Sequence, residues 1–230
     1  SIFSLVKNAF SNHEKWDLAW KDPSPKKEYD VIIIGGGGHG LATAYYLAKE
    51  HNITNVAIIE KGWIGGGNVG RNTTIIRSNY MHDDNALFSE FGMNLWRRMS
   101  QDLNYNVMFS PRGIINLAHS DAQMNTYARR GNSMRLNGID AVLLNREQVK
   151  EIIPMADFSD NVRFPIFGGL MQPSAGTARH DAVAWGYARQ ADSMGVDIIQ
   201  NCEVIGFDVS AGKVKGIRTC LLYTSDAADE

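Results

Sequence analysis

Hydrophobic and polar residues change period several times along the 230-residue chain, and each change marks an element. Tyr29, Val31, Ile32, Ile33 and Ile34 form a short apolar run of strand character that ends in a glycine cluster. A helical pattern follows, then a second apolar strand over residues 56–59 that closes on Glu60. Residues 83–103 predict an amphipathic helix through Leu87, Phe91, Leu95, Trp96 and Met99. Residues 107–109 and 113–117 read as strands, 122–136 as a helix, 146–153 as a short helix stopped by Pro154, and 161–173 as alternating strand and turn. A helix with Ala182, Val183, Trp185, Ala188 and Ala191 on its apolar side is predicted over 181–194. Strands over 196–200 and 203–209 come next, the latter paired with 213–219 through a hairpin at Ser210-Ala211-Gly212.

The segment before the first strand has its own pattern. Ile2, Leu5, Val6 and Phe10 fall at helical spacing, Trp16 and Trp20 stand four apart, and Asp22-Pro23-Ser24-Pro25 closes the segment as an extended linker. Such an apolar arm docks either on its own domain or on a partner subunit.

Chemistry enters at the glycines. Gly35, Gly37 and Gly40 stand at G-x-G-x-x-G spacing between strand and helix, and Glu60 lies 20 residues beyond the last of them. Strand, glycine turn, helix and second strand ending in an acid make a dinucleotide-binding βαβ unit. A pyrophosphate reaches the N-terminus of the helix only where no Cβ holds it away, which explains Gly35 and Gly37. Gly40, with Ala42 and Ala44, lets the helix lie close to the sheet. Glu60 can accept both hydroxyl hydrogens of an adenosine ribose and disfavours a 2′-phosphate, which argues against NADP. The unit alone leaves NAD and FAD open. A second glycine cluster, G-W-I-G-G-G-N-V-G-R-N-T-T over 62–74, has no period and offers many backbone donors ahead of Ile75-Ile76-Arg77.

Composition narrows the classes. With 44% hydrophobic and 21% charged residues the chain has the make-up of a globular protein, and a formal charge of −2 gives no sign of nucleic acid. Cys202 and Cys220 form neither a disulfide framework nor a metal spacing, which fits a reducing compartment and no metal. Apolar runs are too short to span a bilayer, and the first residues lack the features of a signal peptide, so a cytoplasmic location with no membrane contact is expected. The pairs Arg97-Arg98 and Arg129-Arg130 are expected on solvated helix faces.

Six segments carry a resemblance: G-G-G-G-H-G-L-A-T-A-Y-Y-L-A-K, E-K-G-W-I-G-G-G-N, G-R-N-T-T-I-I-R-S-N-Y, D-L-N-Y-N-V-M-F-S-P-R-G, A-R-H-D-A-V-A-W-G-Y-A-R and G-V-D-I-I-Q-N-C-E-V. Together they resemble the β subunits of heterotetrameric sarcosine oxidases, FAD-linked amine oxidases similar to D-amino-acid oxidase, over residues 1–219. The resemblance implies an α/β fold in which a Rossmann-like FAD-binding domain is interrupted by a portion of an α+β substrate domain. An arm and linker (1–28) would precede a first FAD-binding segment (29–109), the substrate-domain portion (110–173) and a second FAD-binding segment (174–219). It implies oxidation of sarcosine to glycine, peroxide formation and one-carbon transfer to tetrahydrofolate in a complex with an α subunit and further partners. The rivals are another FAD amine oxidase or dehydrogenase, acting on glycine, proline or dimethylglycine, and a nucleotide-binding scaffold subunit.

Site residues carry over by the same resemblance. Gly35, Gly37, Gly38, His39, Gly40 and Glu60 match the FAD fingerprint, with Lys61 beside the adenosine. Asn68, Arg71, Asn72, Thr73 and Thr74 match the loop leading toward the flavin ring, and Val204 a strand position at the adenine. Arg77 matches an arginine that pairs with the substrate carboxylate. Read from the residues alone, it is equally a surface ion-pair partner. His180, by itself an ordinary cap or surface residue, matches a histidine carrying covalent FMN at the α-subunit interface. Asp181 would orient the imidazole or cap the helix. FAD would be bound non-covalently.

The last eleven residues, 220–230, depart from this pattern. They resemble the conceptual translation of a transposase-type adapter from DNA library preparation, so residues 220–230 are expected to be a non-native tail on a fragment that is itself inactive. A nucleotide sequence over those codons that differs from the adapter would refute the tail's assignment.

Overall fold

The computed structural model describes residues 2–12, 14 and 18–221. They form two compact units, Ser1–Arg71 with Tyr187–Glu230, and Asn72–Gly186.

The first unit begins with helix α1 (Ile2–Phe10), none of whose residues is buried. Phe3 and Phe10 are 84% and 89% exposed, so this stretch is helical as its spacing predicts and its apolar side chains are open. Trp16 lies outside the described residues. The linker after it runs along the unit, with Lys21 N–H donating to Asp192 Oδ1 and Asp22 Oδ1 accepting from Gln200 N–H.

Strands β1 (Val31–Ile34) and β2 (Val56–Ile59) flank helix α2 (Gly38–His51) and pair in parallel, with Val31 opposite Val56 and Ile34 opposite Ile59. All four residues of β2 are buried, as an unbroken apolar run requires when a strand is central. Its other edge takes a third parallel strand, Asp197–Ile199. Helix α2 turns Leu41, Ala44, Tyr45 and Ala48 inward at helical spacing. It ends at Asn52, whose left-handed φ of 55° lets its N–H reach the Leu47 carbonyl. Tyr45 meets Tyr46 and Tyr187 edge-on at 4.9 and 5.4 Å between ring centres.

In the second unit, β3 (Ile75–Ile76) is followed by α3 (Asp83–Asp102), β4 (Ile114–Ala118), α4 (Asp121–Leu136), β5 (Val142–Asn145), α5 (Arg146–Ile152), β6 (Gly168–Gln172) and β7 (Gly176–Thr177). Strand β6 is the centre of an antiparallel sheet with β4 and β5 on its edges, while β3 and β7 pair separately. Ser120 caps α4 by accepting from Gln123 N–H, and Asn145 and Gln148 form a reciprocal capping box on α5. Ala86, Met134, Ile139, Ala141 and Leu170 make one core, with Tyr80 and Tyr127 against it, and Leu144, Val149 and Ile166 make another.

The division between units falls inside α6 (His180–Ser193), which buries Ala182, Val183, Ala184, Ala188 and Ala191. Beyond it, β8 (Asp197–Ile199) completes the parallel sheet, and β9 (Val204–Ser210) and β10 (Lys213–Thr219) form the expected hairpin. Ala211 and Gly212 both have positive φ, as the tight primed turn of a two-residue hairpin demands. Val204 and Ile217 rest on the core of Ala57, Ile59, Ile199 and Cys202.

Several elements differ from the sequence expectation. Residues 107–109 are not a strand: Asn106 Oδ1 accepts from Met108 N–H and Met108 sits at φ 54°, which breaks extended geometry. Only β6 is regular within 161–173, and β5 has no counterpart among the predicted strands. Helix α3 buries Ala86, Met93 and Met99, leaving Leu87 and Phe91 exposed, and Trp185 of α6 is exposed as well. Arg130 is half-buried rather than on a solvated face. Residues 222–230, most of the expected tail, lie outside the described residues.

Candidate functional site

Two groups of candidate residues stand in the two units. In the first, the turn after β1 opens with Gly35 at φ 104°, its N–H held by the Ile59 carbonyl at 2.8 Å. Gly37 is the extended N-cap of α2, and no side chain caps that helix end. The helix therefore presents Gly38, His39 and Gly40 in its first turn with backbone donors and the positive end of its dipole directed at whatever binds there. A Cβ on Gly35 or Gly37 would meet nothing within 4 Å, so space lies in front of both. At Gly40 a Cβ would come within 2.1 Å of the Gly35 carbonyl oxygen, so this glycine serves the close approach of turn and helix.

Glu60 closes the group from the end of β2. Its Oε2 accepts from Gly36 N–H at 2.7 Å and its Oε1 from Gly62 N–H at 2.8 Å. Two backbone donors thus fix the carboxylate over the glycine turn, while each oxygen keeps capacity for a further donor such as a ribose hydroxyl. Lys61 is exposed beside it, and Ile64, whose N–H donates to Gln200 Oε1, anchors the second glycine loop. Asn68 begins a short 3-10 turn (Asn68–Gly70) that ends at Arg71, both residues exposed. Val204 opens β9, half-buried.

The donor set fits a dinucleotide: a side-chain-free helix N-terminus for the pyrophosphate and an oriented acid for the ribose. It does so with no basic side chain needed at the turn itself.

In the second unit, Asn72 Oδ1 accepts from Thr74 N–H at 2.7 Å, Thr73 is exposed between them, and Thr74 sits at φ 59°. This local turn leads into β3, which pairs with β7, and beyond that pairing Ala178 N–H donates to the Thr74 carbonyl. Arg77 leaves the other end of β3. Its Nη1 donates to Asn79 Oδ1 at 2.8 Å and its guanidinium carbon lies 5.2 Å from the Tyr80 ring centre. Among the described residues it makes no ion pair, so the surface ion-pair alternative finds no partner here.

Beneath Arg77 lies a polar network that no sequence pattern announced. Ser78, Asn79 and Gln172 are fully buried. Ser78 N–H donates to Gln172 Oε1, Ser78 Oγ donates to Glu90 at 2.6 Å, and Asn79 Nδ2 donates to Asn116 Oδ1 at 2.7 Å. Ser78, Asn79 and Tyr80 follow Arg77 directly, inside a segment the family resemblance already marked, which was their one signal.

His180 begins α6 with Nδ1 buried and, among the described residues, without a hydrogen-bond partner. Asp181 is engaged elsewhere: Arg179 Nε and Nη2 donate to its two oxygens at 3.0 and 2.8 Å, and Ala182 N–H donates to Oδ1. The bond from Arg179 holds the Asp181 carboxyl below its ordinary pKa. Asp181 therefore supports the first turn and leaves the imidazole nitrogen free of a fixed tautomer partner.

A model of the FAD-dependent oxidoreductase family described as DAO matches residues 30–228. Sarcosine oxidase subunit beta of Rhizobium meliloti (strain 1021) is 61% identical over 219 residues, 95% of this chain and 52% of that protein. Its namesake from Arthrobacter sp is 54% identical over 203 residues, 88% and 50% of the two chains. The chain spans about half the length of the curated relatives it matches. Among solved structures, L-proline dehydrogenase from P. horikoshii superposes with a TM-score of 0.78 at 26% identity, covering 86% of this chain and 50% of that one. Glycine oxidase from Bacillus cereus, at 23% identity and a TM-score of 0.73 over 84% and 52%, shares the fold.

Proposed function

The chain belongs to the family of DAO-type FAD-dependent oxidoreductases, and from that membership we propose that it forms the flavin-binding portion of a β subunit that oxidises sarcosine to glycine. The observation that carries the substrate is identity of 52–61% over 95% of the chain with proteins named for sarcosine oxidation. Residues 29–109 and 174–219 contribute to FAD binding and 110–173 to the substrate domain in this reading.

Gly35, Gly37, Gly38, His39 and Gly40 bind the FAD pyrophosphate, Glu60 its ribose, with Lys61 and Val204 at the adenosine and Asn68, Arg71, Asn72, Thr73 and Thr74 leading toward the ring. When bound, FAD supplies a two-electron acceptor for the carbon–hydrogen bond next to the amine. Arg77 does the positioning. Its planar fork, held by Asn79 and with no competing carboxylate among the described residues, takes the substrate carboxylate in two parallel charge-assisted bonds and so fixes the small molecule's orientation.

His180 is the attachment point for FMN in this proposal, facing a partner α subunit. Its buried Nδ1, without a partner among the described residues, supports an imidazole whose hydrogen bonding is completed by something else. Peroxide formation and one-carbon transfer to tetrahydrofolate belong to the assembled heterotetramer.

One alternative has an observation of its own: the 26% identity to L-proline dehydrogenase favours a related amino-acid dehydrogenase. Full-length protein assembled with its partner subunits separates the two. Sarcosine-dependent peroxide together with flavin fluorescence that stays on this subunit in a denaturing gel is expected. Turnover of proline in preference to sarcosine, with no retained flavin, overturns the proposal.

A further inference from the structure

Helix α4 delivers a second arginine to the ground on which Arg77 stands. Arg130 Nη2 donates to the backbone carbonyl of Asn79, the residue whose Oδ1 accepts from Arg77 and whose Nδ2 donates to Asn116. Asn79 is fully buried, so two guanidinium groups grip one immobilised amide residue from different sides. Among the described residues neither arginine makes an ion pair. Arg130 Nε, moreover, is buried without a hydrogen-bond partner among them. Burial first, then the charge of Arg77, lowers the Arg130 pKa from its ordinary value, while Tyr127 and Tyr80 oppose that shift. Two partly desolvated cations held by neutral acceptors are a cost to the folded chain that a bound anion relieves.

We propose that Arg130 is a positioning residue for the carboxylate site: it clamps Asn79, through Asn79 it sets the direction of the Arg77 guanidinium, and it doubles the positive charge a monoanionic amino acid meets. This rests on the reading of Arg77 as the carboxylate anchor. The division of labour follows from reach. Arg77 keeps one edge of its fork for the ligand, and Arg130 commits Nη2 to the Asn79 carbonyl and acts on the ligand through Asn79 and through space. A prop that merely supported residues 78–81 would alter stability and leave substrate affinity alone. A positioning cation alters affinity for any small carboxylate and leaves the chemical step nearly untouched.

The test uses the full-length protein assembled with its partners, with sarcosine as substrate and acetate as a carboxylate that is not oxidised. Arg130→Gln is expected to raise the sarcosine KM and the acetate inhibition constant in parallel by about tenfold, with kcat within about twofold and the flavin spectrum unchanged. Arg130→Lys keeps the charge without the fork and is expected to weaken both by about threefold. Should the Gln variant fail to hold flavin, the Lys variant decides: weakening supports the role, and constants equal to the native ones overturn it. Arg77→Gln is run alongside. Loss of carboxylate affinity in Arg77→Gln with none in Arg130→Gln overturns this inference and leaves the anchor standing, whereas no loss in either overturns both.

Discussion

Arg77 meets the Asn79 amide and the Tyr80 ring and, among the described residues, makes no ion pair. Replacing it with Met, which keeps the volume of the stem, removes the donor to Asn79 Oδ1 and, in the proposed reading, the partner of the substrate carboxylate. In the assembled full-length protein kcat/KM for sarcosine is expected to fall by about a hundredfold, the scale of a lost charge-assisted pair, measured by steady-state oxygen uptake. An unchanged value would remove Arg77 from the site. His180 gives a second residue-scale prediction, since its Nδ1 is buried without a hydrogen-bond partner among the described residues while Asp181 is tied to Arg179. His180→Ala is expected to abolish flavin that survives denaturation, and persistence of that flavin would send the attachment elsewhere. At this scale the chain showed Arg77 and His180 through segments matching a family. Asn79 lay in such a segment but with no role attached, and Asn116 and Arg130 had no such mark, because these roles arise from residues 37 and 51 positions apart meeting in space.

The turn between β1 and α2 tests the element. Gly37 and Gly40 belong to the same glycine pattern, yet their surroundings assign them different work: open space before Gly37, the Gly35 carbonyl 2.1 Å from a Cβ on Gly40. Gly40→Ala forces backbone against backbone and is expected to cost about 2–3 kcal/mol of stability in urea unfolding of the full-length protein. Gly37→Ala, at φ −78°, is expected to fold normally and to lose FAD affinity by about tenfold or more, read by flavin titration. Equal effects of the two substitutions on stability would refute the distinction. Long helices were legible from their period, whereas β5 was not. It is a short edge strand with three of four residues exposed, so it carries no alternation, and its place comes from β6 alone.

The whole molecule leaves apolar surface open in both units. Ile34 on β1 is 51% exposed, α1 has no buried residue, and Leu87, Phe88 and Phe91 line an uncovered side of α3. Surfaces of this kind are met by further chain or by partners, in keeping with relatives about twice as long that are named as subunits. The purified 230-residue chain is therefore expected to retain little flavin and to produce no sarcosine-dependent peroxide, measured by absorbance and a peroxidase-coupled assay. Turnover by this chain alone would show that the residues in hand suffice.

What the sequence determined by itself is the nucleotide unit. Its strand, glycines, helix, second strand and Glu60 are contiguous, so the local rules of turn, cap and period act on them without help from the rest of the fold. Folding alone decided what surrounds Arg77. The proposed role of its guanidinium as a carboxylate anchor depends on neighbours that hold it and, among the described residues, leave it without an ion pair. Those neighbours come from the segment after β3, from β4 and from α4, which share no spacing in the chain and converge only through the packing of helix on sheet.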